Sequence, residues 1–195
     1  KFPSGVAVDG SGNVYVADAG NGRVLRLPAG GGAQTTLGFT GLNFPYGVTV
    51  DGAGNVYVAD AANNRVLRLP AGGGPQTTLG FTGLTSPTGV AVDGSGNVYV
   101  TDAGTQRMVV LPSPGGSPST LGFAGLSGSS GVAVDGSGNT YVADTNNDRV
   151  VKLPAGGGAQ TTLGFTGLNA PLGVAVDGSG DVYVTDSGNN RVLRL

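Results

Sequence analysis

One spacing governs this chain. Asp9, Asp51, Asp93, Asp135 and Asp177 stand 42 residues apart. The same interval relates Tyr15, Tyr57, Tyr99, Tyr141 and Tyr183. It also relates Asp18, Asp60, Asp102, Asp144 and Asp186, and Arg23, Arg65, Arg107, Arg149 and Arg191. The chain therefore divides into units 1–42, 43–84, 85–126 and 127–168, with a partial fifth at 169–195. A period of this length marks an array in which each unit is too small to bury its own apolar face and must stack on its neighbours. The array is read as a single domain, 1–195.

Each unit carries four strand signals. In the first they are GVAVD (Gly5 to Asp9), NVYVAD (Asn13 to Asp18), RVLRL (Arg23 to Leu27) and QTTLGF (Gln34 to Phe39). Val, Thr and Tyr dominate them, as short strands require. The connectors DGSG, DAGNG, PAGGGA and TGLN are turn-forming. No 3.6-residue apolar period signals a helix. Glycine is abundant, with 39 residues, but it recurs at fixed places, so low-complexity disorder is not the reading. Four short strands per unit of about 40 residues is the pattern of an all-β propeller, with one small twisted sheet per unit around an axis. The fifth unit ends after its third strand, so the last blade is expected to lack its outer strand.

The composition excludes several chemistries. There is no histidine and no cysteine, which removes the Ser-His-Asp triad, the Cys-His dyad and the usual zinc sites. Ten basic and twelve acidic residues give a net charge of −2, which argues against a nucleic-acid partner. No apolar run nears the roughly 18 residues of a membrane span, so no membrane insertion is expected, and no secretory leader is recognised at the start. No cofactor and no metal are expected.

The repeated polar residues read as structural. Asp18, Asp60, Asp102, Asp144 and Asp186 end the second strands, and Arg23, Arg65, Arg107, Arg149 and Arg191 start the third. An active site does not need five copies, so the pair is taken as a hairpin device, the carboxylate capping turn amides. Asp9 and its equivalents sit in Asp-Gly turns; a calcium reading is open to carboxylates, but the spacing of a calcium loop is missing. The PAGGG stretches lack the Lys-Ser/Thr and helix of a phosphate loop. Positions that differ between units are better ligand candidates: Ser4, Tyr46, Thr88, Ser130 and Leu172 in the first strands, and Ala19, Ala61, Ala103, Thr145 and Ser187 after the repeated Asp. Both sets are expected on one rim, near the axis.

The pattern P-x-G-V-A-V-D-x-x-G-N-V-Y-V-A-D-x-x-N-x-R-V-x-x-L, seen from Pro45 to Leu69, resembles the NHL repeat. The linker TTLGFTGLN resembles that of the extracellular sensor propeller of mycobacterial receptor serine/threonine kinases, and of symmetric propellers engineered from it. The resemblance implies a non-enzymatic sensor or binding propeller, extracellular in the parent protein and soluble by itself, presenting a loop face to a protein, peptide or glycan. The alternatives are an engineered or excised propeller piece with no biological ligand, and a calcium-dependent hydrolase. Lactonase-like relatives hold calcium with Glu and Asn, and this chain has no glutamate. For ring closure, five blades around a full circle is the expectation, against an open arc with six-blade curvature. In either case the unpaired edge Arg191–Leu195 is a candidate for self-association.

Overall fold

The computed structural model describes all 195 residues. Blade one contains β1 (Pro3–Val8), β2 (Val14–Asp18), β3 (Arg23–Leu27) and β4 (Thr35–Thr36). Blade two contains β5 (Pro45–Val50), β6 (Val56–Asp60), β7 (Arg65–Leu69) and β8 (Thr77–Thr78). Blade three contains β9 (Pro87–Val92), β10 (Val98–Asp102), β11 (Arg107–Leu111) and β12 (Ser119–Thr120). Blade four contains β13 (Val132–Val134), β14 (Thr140–Asp144), β15 (Arg149–Leu153) and β16 (Thr161–Thr162). Blade five has three strands, β17 (Pro171–Val176), β18 (Val182–Asp186) and β19 (Arg191–Arg194). In every sheet the strands lie in chain order, antiparallel from the axis outward. This is the all-β propeller of five units that the periodicity predicts, thin last blade included.

Two local differences from the sequence reading have clear causes. The fourth strand shrinks from QTTLGF to two residues, because the segment leaves the ladder after Leu37, whose N–H still reaches Val24 O at 2.9 Å. Leu37 and Phe39 then turn inward against the packing layer between blades one and two. The first strand starts earlier, at Pro3, with a bulge. Pro3 pairs with Asp18 and Val6 with Val16, so two residues, Ser4 and Gly5, stand opposite Ala17 alone. The bulge recurs in blades two, three and five. It turns the backbone of the innermost strand toward the next blade.

The core is a series of layers between blades. Tyr15, Ala17 and Val24 of blade one pack on Val48, Val56 and Val58 of blade two. Tyr57, Ala59 and Val66 then meet Val90, Val98, Val100 and Val109 of blade three. Ala91 and Met108 meet Val132, Val142 and Val151, and Tyr141 and Val150 meet Val182 and Val184. Alternate residues of each strand thus serve opposite neighbours, which is why these strands are apolar on both faces.

No such layer joins blade five to blade one. The glycines of the innermost strands make the break plain. An ideal Cβ on Gly5 would meet Tyr46 O at 2.6 Å, on Gly47 Thr88 O at 2.5 Å, and on Gly131 Leu172 O at 2.6 Å. Each glycine lets its blade touch the backbone of the next. On Gly173 a Cβ would meet only Thr185 of its own blade. Val6 is 68% exposed where its equivalent Val48 is 6%. The arc is open, and the expected five-bladed closure is not what the chain adopts.

Candidate ligand-binding site

The polar repeat residues form two networks. In the first, Asp9 Oδ1 accepts the N–H of Ser11 and of Asn13, each at 2.9 Å. Its Oδ2 accepts Asn13 Nδ2 at 2.7 Å and the Tyr15 hydroxyl at 2.9 Å. Asn13 Oδ1 in turn accepts the N–H of Ala29 beyond β3. The Asp-Gly turn was legible, but the part played by Tyr and Asn was not, although Asp and Tyr recur in all five units and Asn in the first four, with Asp181 in the fifth. The Asn13 side chain, joined by the backbone amides and Tyr15, holds the Asp9 carboxyl down to about 2. Burial, with the bond to Asp93, pushes the Tyr99 phenol up to about 12.

The second network centres on the aspartates that end the second strands. Asp60 is fully buried. Its Oδ2 accepts Arg65 Nε at 2.7 Å and Asn63 Nδ2 at 2.8 Å, while Oδ1 accepts the N–H of Asn43 at 2.7 Å. Arg65 Nη2 continues to Gly41 O. The expected capping of turn amides is therefore replaced by something more useful. One carboxylate ties the β6–β7 hairpin to the linker that delivers β5. Asp102, Asp144 and Asp186 repeat the arrangement with the amides of Thr85, Ser127 and Asn169. At Asp18 the amino group of Lys1 takes that place, 2.8 Å away. The remaining aspartates are also engaged: Asp148 accepts the Ala170 N–H, and Asp181 pairs with Arg194.

Around the axis, the first-strand candidates come together. Ser4, Tyr46, Thr88, Ser130 and Leu172 all line one cleft of about 640 Å³, which also opens sideways between blades one and five. Most of their polar atoms serve the fold. Ser4 Oγ donates to Tyr46 O at 2.7 Å, Thr88 Oγ1 to Ser129 O at 2.9 Å, and Ser130 Oγ to Leu172 O at 2.5 Å. These are staples between successive blades. Tyr46 is different. The other five tyrosines each bond an aspartate, whereas the half-buried Tyr46 has no hydrogen-bond partner for its hydroxyl. Of the second candidate set, only Ala19 reaches the cleft. Ala19 and Ala61 are buried at the start of single 3-10 turns, Thr145 Oγ1 bonds Pro171 O, and Ala103 and Ser187 lie outside the cleft.

The family model for the NHL repeat matches residues 1–27, 42–69, 84–111 and 168–195, more than half of the chain. The chain belongs to the NHL-repeat family. Among solved structures, this NHL propeller is similar to one in the crystal structure of a nidogen/laminin complex. The identity is 26% and the TM-score 0.90, over all of this chain and 76% of that one. A streptogramin B lyase is similar at 13% identity and a TM-score of 0.79, over 99% of this chain and 68% of that chain. A catalytically inactive virginiamycin B lyase of Staphylococcus aureus with quinupristin is similar at 16% identity and a TM-score of 0.68, over 99% and 80% of the two chains. No curated protein sequence matches the NHL propeller.

The NHL model does not match blade four, which departs from the other blades at its first strand. Ser129 replaces the proline found as Pro3, Pro45, Pro87 and Pro171, and β13 is correspondingly short. Ser129 is buried and its Oγ has no partner. The preceding residue is left-handed in every blade, with Gly128 at φ +59° and Phe44 at +54°, so the backbone already suits proline. Ser129→Pro removes the orphaned hydroxyl and restricts the unfolded chain. It is expected to stabilise the protein by about 1 kcal/mol, read from denaturant midpoints at unchanged slope.

Proposed function

We propose that this NHL propeller is a non-enzymatic binding module, of the kind found in receptor sensors, that takes a protein, peptide or glycan in its axial cleft. The observation that carries the reading is the free phenol of Tyr46, which lines the same cleft as Leu172, while Ser4, Thr88 and Ser130 are occupied as inter-blade staples. Tyrosine supplies rigid apolar area with one hydrogen-bonding tip, which suits recognition. The nidogen/laminin neighbour belongs to a protein complex, which supports a protein partner and, by analogy, an extracellular setting. Catalysis is disfavoured by the chain's own residues. All twelve carboxylates are held in hydrogen bonds or ion pairs, and there is no histidine. The lyase similar to this chain is inactivated by a single histidine-to-alanine change. Calcium binding at the Asp-Gly turns is disfavoured in the same way, since both oxygens of Asp9 already accept from protein donors.

Peptide and glycan arrays probed with the protein provide the test. Binding is expected to fall at least roughly 10-fold in Tyr46→Ala, to persist in Gln76→Ala on the outer rim, and to change little between low and high salt. Binding indifferent to Tyr46, steep loss with salt, or conversion of quinupristin to any product would each overturn the reading.

A further inference from the structure

We propose that the axial cleft receives an uncharged, proline-rich stretch of a partner protein, in polyproline II form, on the aromatic pair Phe44 and Tyr46 of blade two. The proposal rests on the binding-module reading above and names the class of ligand.

Phe44 makes the first argument, because its ring is not what the fold asks for. It is 48% exposed and lines the cleft. Its φ of +54° lies in the left-handed region, where a bulky side chain is disfavoured. Ser86, Gly128 and Ala170 stand at the same place in blades three to five, also at positive φ. The backbone therefore demands the conformation but not an aromatic residue. The Ser86 N–H is capped by Asn64 Oδ1 at 2.7 Å, and the Ala170 N–H by Asp148 Oδ1 at 2.8 Å. At the corresponding place before Phe44 stands Gly22, which has no side chain, so the Phe44 N–H lacks that cap. An exposed ring on a strained, uncapped residue costs the fold stability and marks a functional position.

Tyr46 stands two residues on, its hydroxyl without a partner. Pro45, between the two aromatics, is buried and pairs with Asp60, whose carboxylate ties hairpin to linker. The bulge sets Tyr46 and Gly47 opposite Ala59 alone and re-aims the strand at this point. Both rings are thus carried into one cleft by a backbone that is already fixed. Blade two packs on blade one and on blade three, so the pair has a neighbouring blade on each side.

The lining names the occupant. No Asp, Glu, Lys, Arg, Asn or Gln lines the cleft. A charged peptide would lose water there without meeting a counter-charge. A glycan would bring many hydroxyls, and the Ser4, Thr88 and Ser130 hydroxyls are already engaged between blades. A polyproline II segment needs neither kind of partner. It has no internal hydrogen bonds, so its carbonyls are open to donors, and its rings pack on aromatic faces. The Tyr46 hydroxyl and the uncapped Phe44 N–H are two such donors beside two such faces.

The test is titration of the protein with a labelled, uncharged Ala-Pro-Pro repeat peptide of about ten residues, beside an acidic peptide, a basic peptide and a neutral oligosaccharide. The proline-rich peptide is expected to bind, and the other probes to bind at least roughly 10-fold more weakly. Phe44→Asn and Tyr46→Ala are each expected to weaken the proline-rich peptide at least roughly 10-fold, and Tyr46→Phe to weaken it less, through the lost donor alone. Asn tolerates left-handed backbone, so Phe44→Asn is expected to leave the melting temperature within about 2 °C. No binding of the proline-rich peptide, an affinity indifferent to Phe44→Asn, or a clear fall in that variant's melting temperature would each overturn the proposal. Binding of a charged peptide or of the oligosaccharide that depends on Tyr46 would overturn it too, while leaving the binding-module reading in place. Binding of every probe unchanged in Tyr46→Ala would overturn both.

Discussion

Gly47→Ala is expected to destabilise the protein by about 3 kcal/mol, near the upper end of the range for overpacking, with a fall in melting temperature of roughly 10 °C. The added methyl would sit 2.5 Å from Thr88 O and 3.0 Å from Val90 N. Both are backbone atoms of the adjacent innermost strand, so no rotamer change relieves the clash. Gly173→Ala supplies the internal comparison. There the methyl meets Thr185 Oγ1 at 3.1 Å and nothing from another blade, so the effect should be a small fraction of that at Gly47. Equal losses at the two positions, measured by thermal or denaturant melting, would contradict the open arc. A negligible loss at Gly47 would contradict the inter-blade contact itself.

The second large effect is expected at Asp60. Asp60→Ala strips a buried anion from Arg65, Asn63 and the Asn43 amide at once. Removing one partner of a buried pair leaves the other charge desolvated and typically costs about 3–5 kcal/mol. Arg65 is about 30% exposed and can turn to water, which places the expectation at the lower end of that range. Asp18→Ala should cost less, because its partners Arg23 and the amino group of Lys1 are the more exposed. Chemical denaturation of the two variants side by side separates them. A loss at Asp60 no greater than that at Asp18 would mean that the tie between hairpin and linker carries little energy.

The parts of this fold that were legible in sequence are those fixed within one unit. Strand order, turn positions and the third strands, such as Arg23–Leu27, follow from alternation and turn chemistry repeated every 42 residues. Ring closure is different. It depends on the thickness of the layers between blades, a sum over Tyr15, Val24, Val48, Val58 and their equivalents that periodicity does not report. The candidate site was legible in part. Variation between units singled out positions from Ser4 to Leu172, which line the cleft, but it could not tell a staple from a free group. Ser130 and Tyr46 look alike as deviations. Only the three-dimensional neighbours show that the Ser130 hydroxyl bonds Leu172 O while the Tyr46 hydroxyl bonds nothing. Ala61 was misjudged for the opposite reason: a small residue next to a conspicuous charge is there because the turn packs inward.

The break between blades five and one also bears on how the molecule comes apart. In a closed ring every blade has two neighbours, and losing any one exposes two interfaces. In this arc the end blades each hold by a single interface, while blade three is clamped from both sides. Energies in such a linear array add by nearest neighbours. Local opening is therefore graded from the ends inward, with backbone amides in the outermost sheets exchanging with solvent first. Amide exchange resolved by blade is expected to show the least protection in blades one and five and the most in blade three.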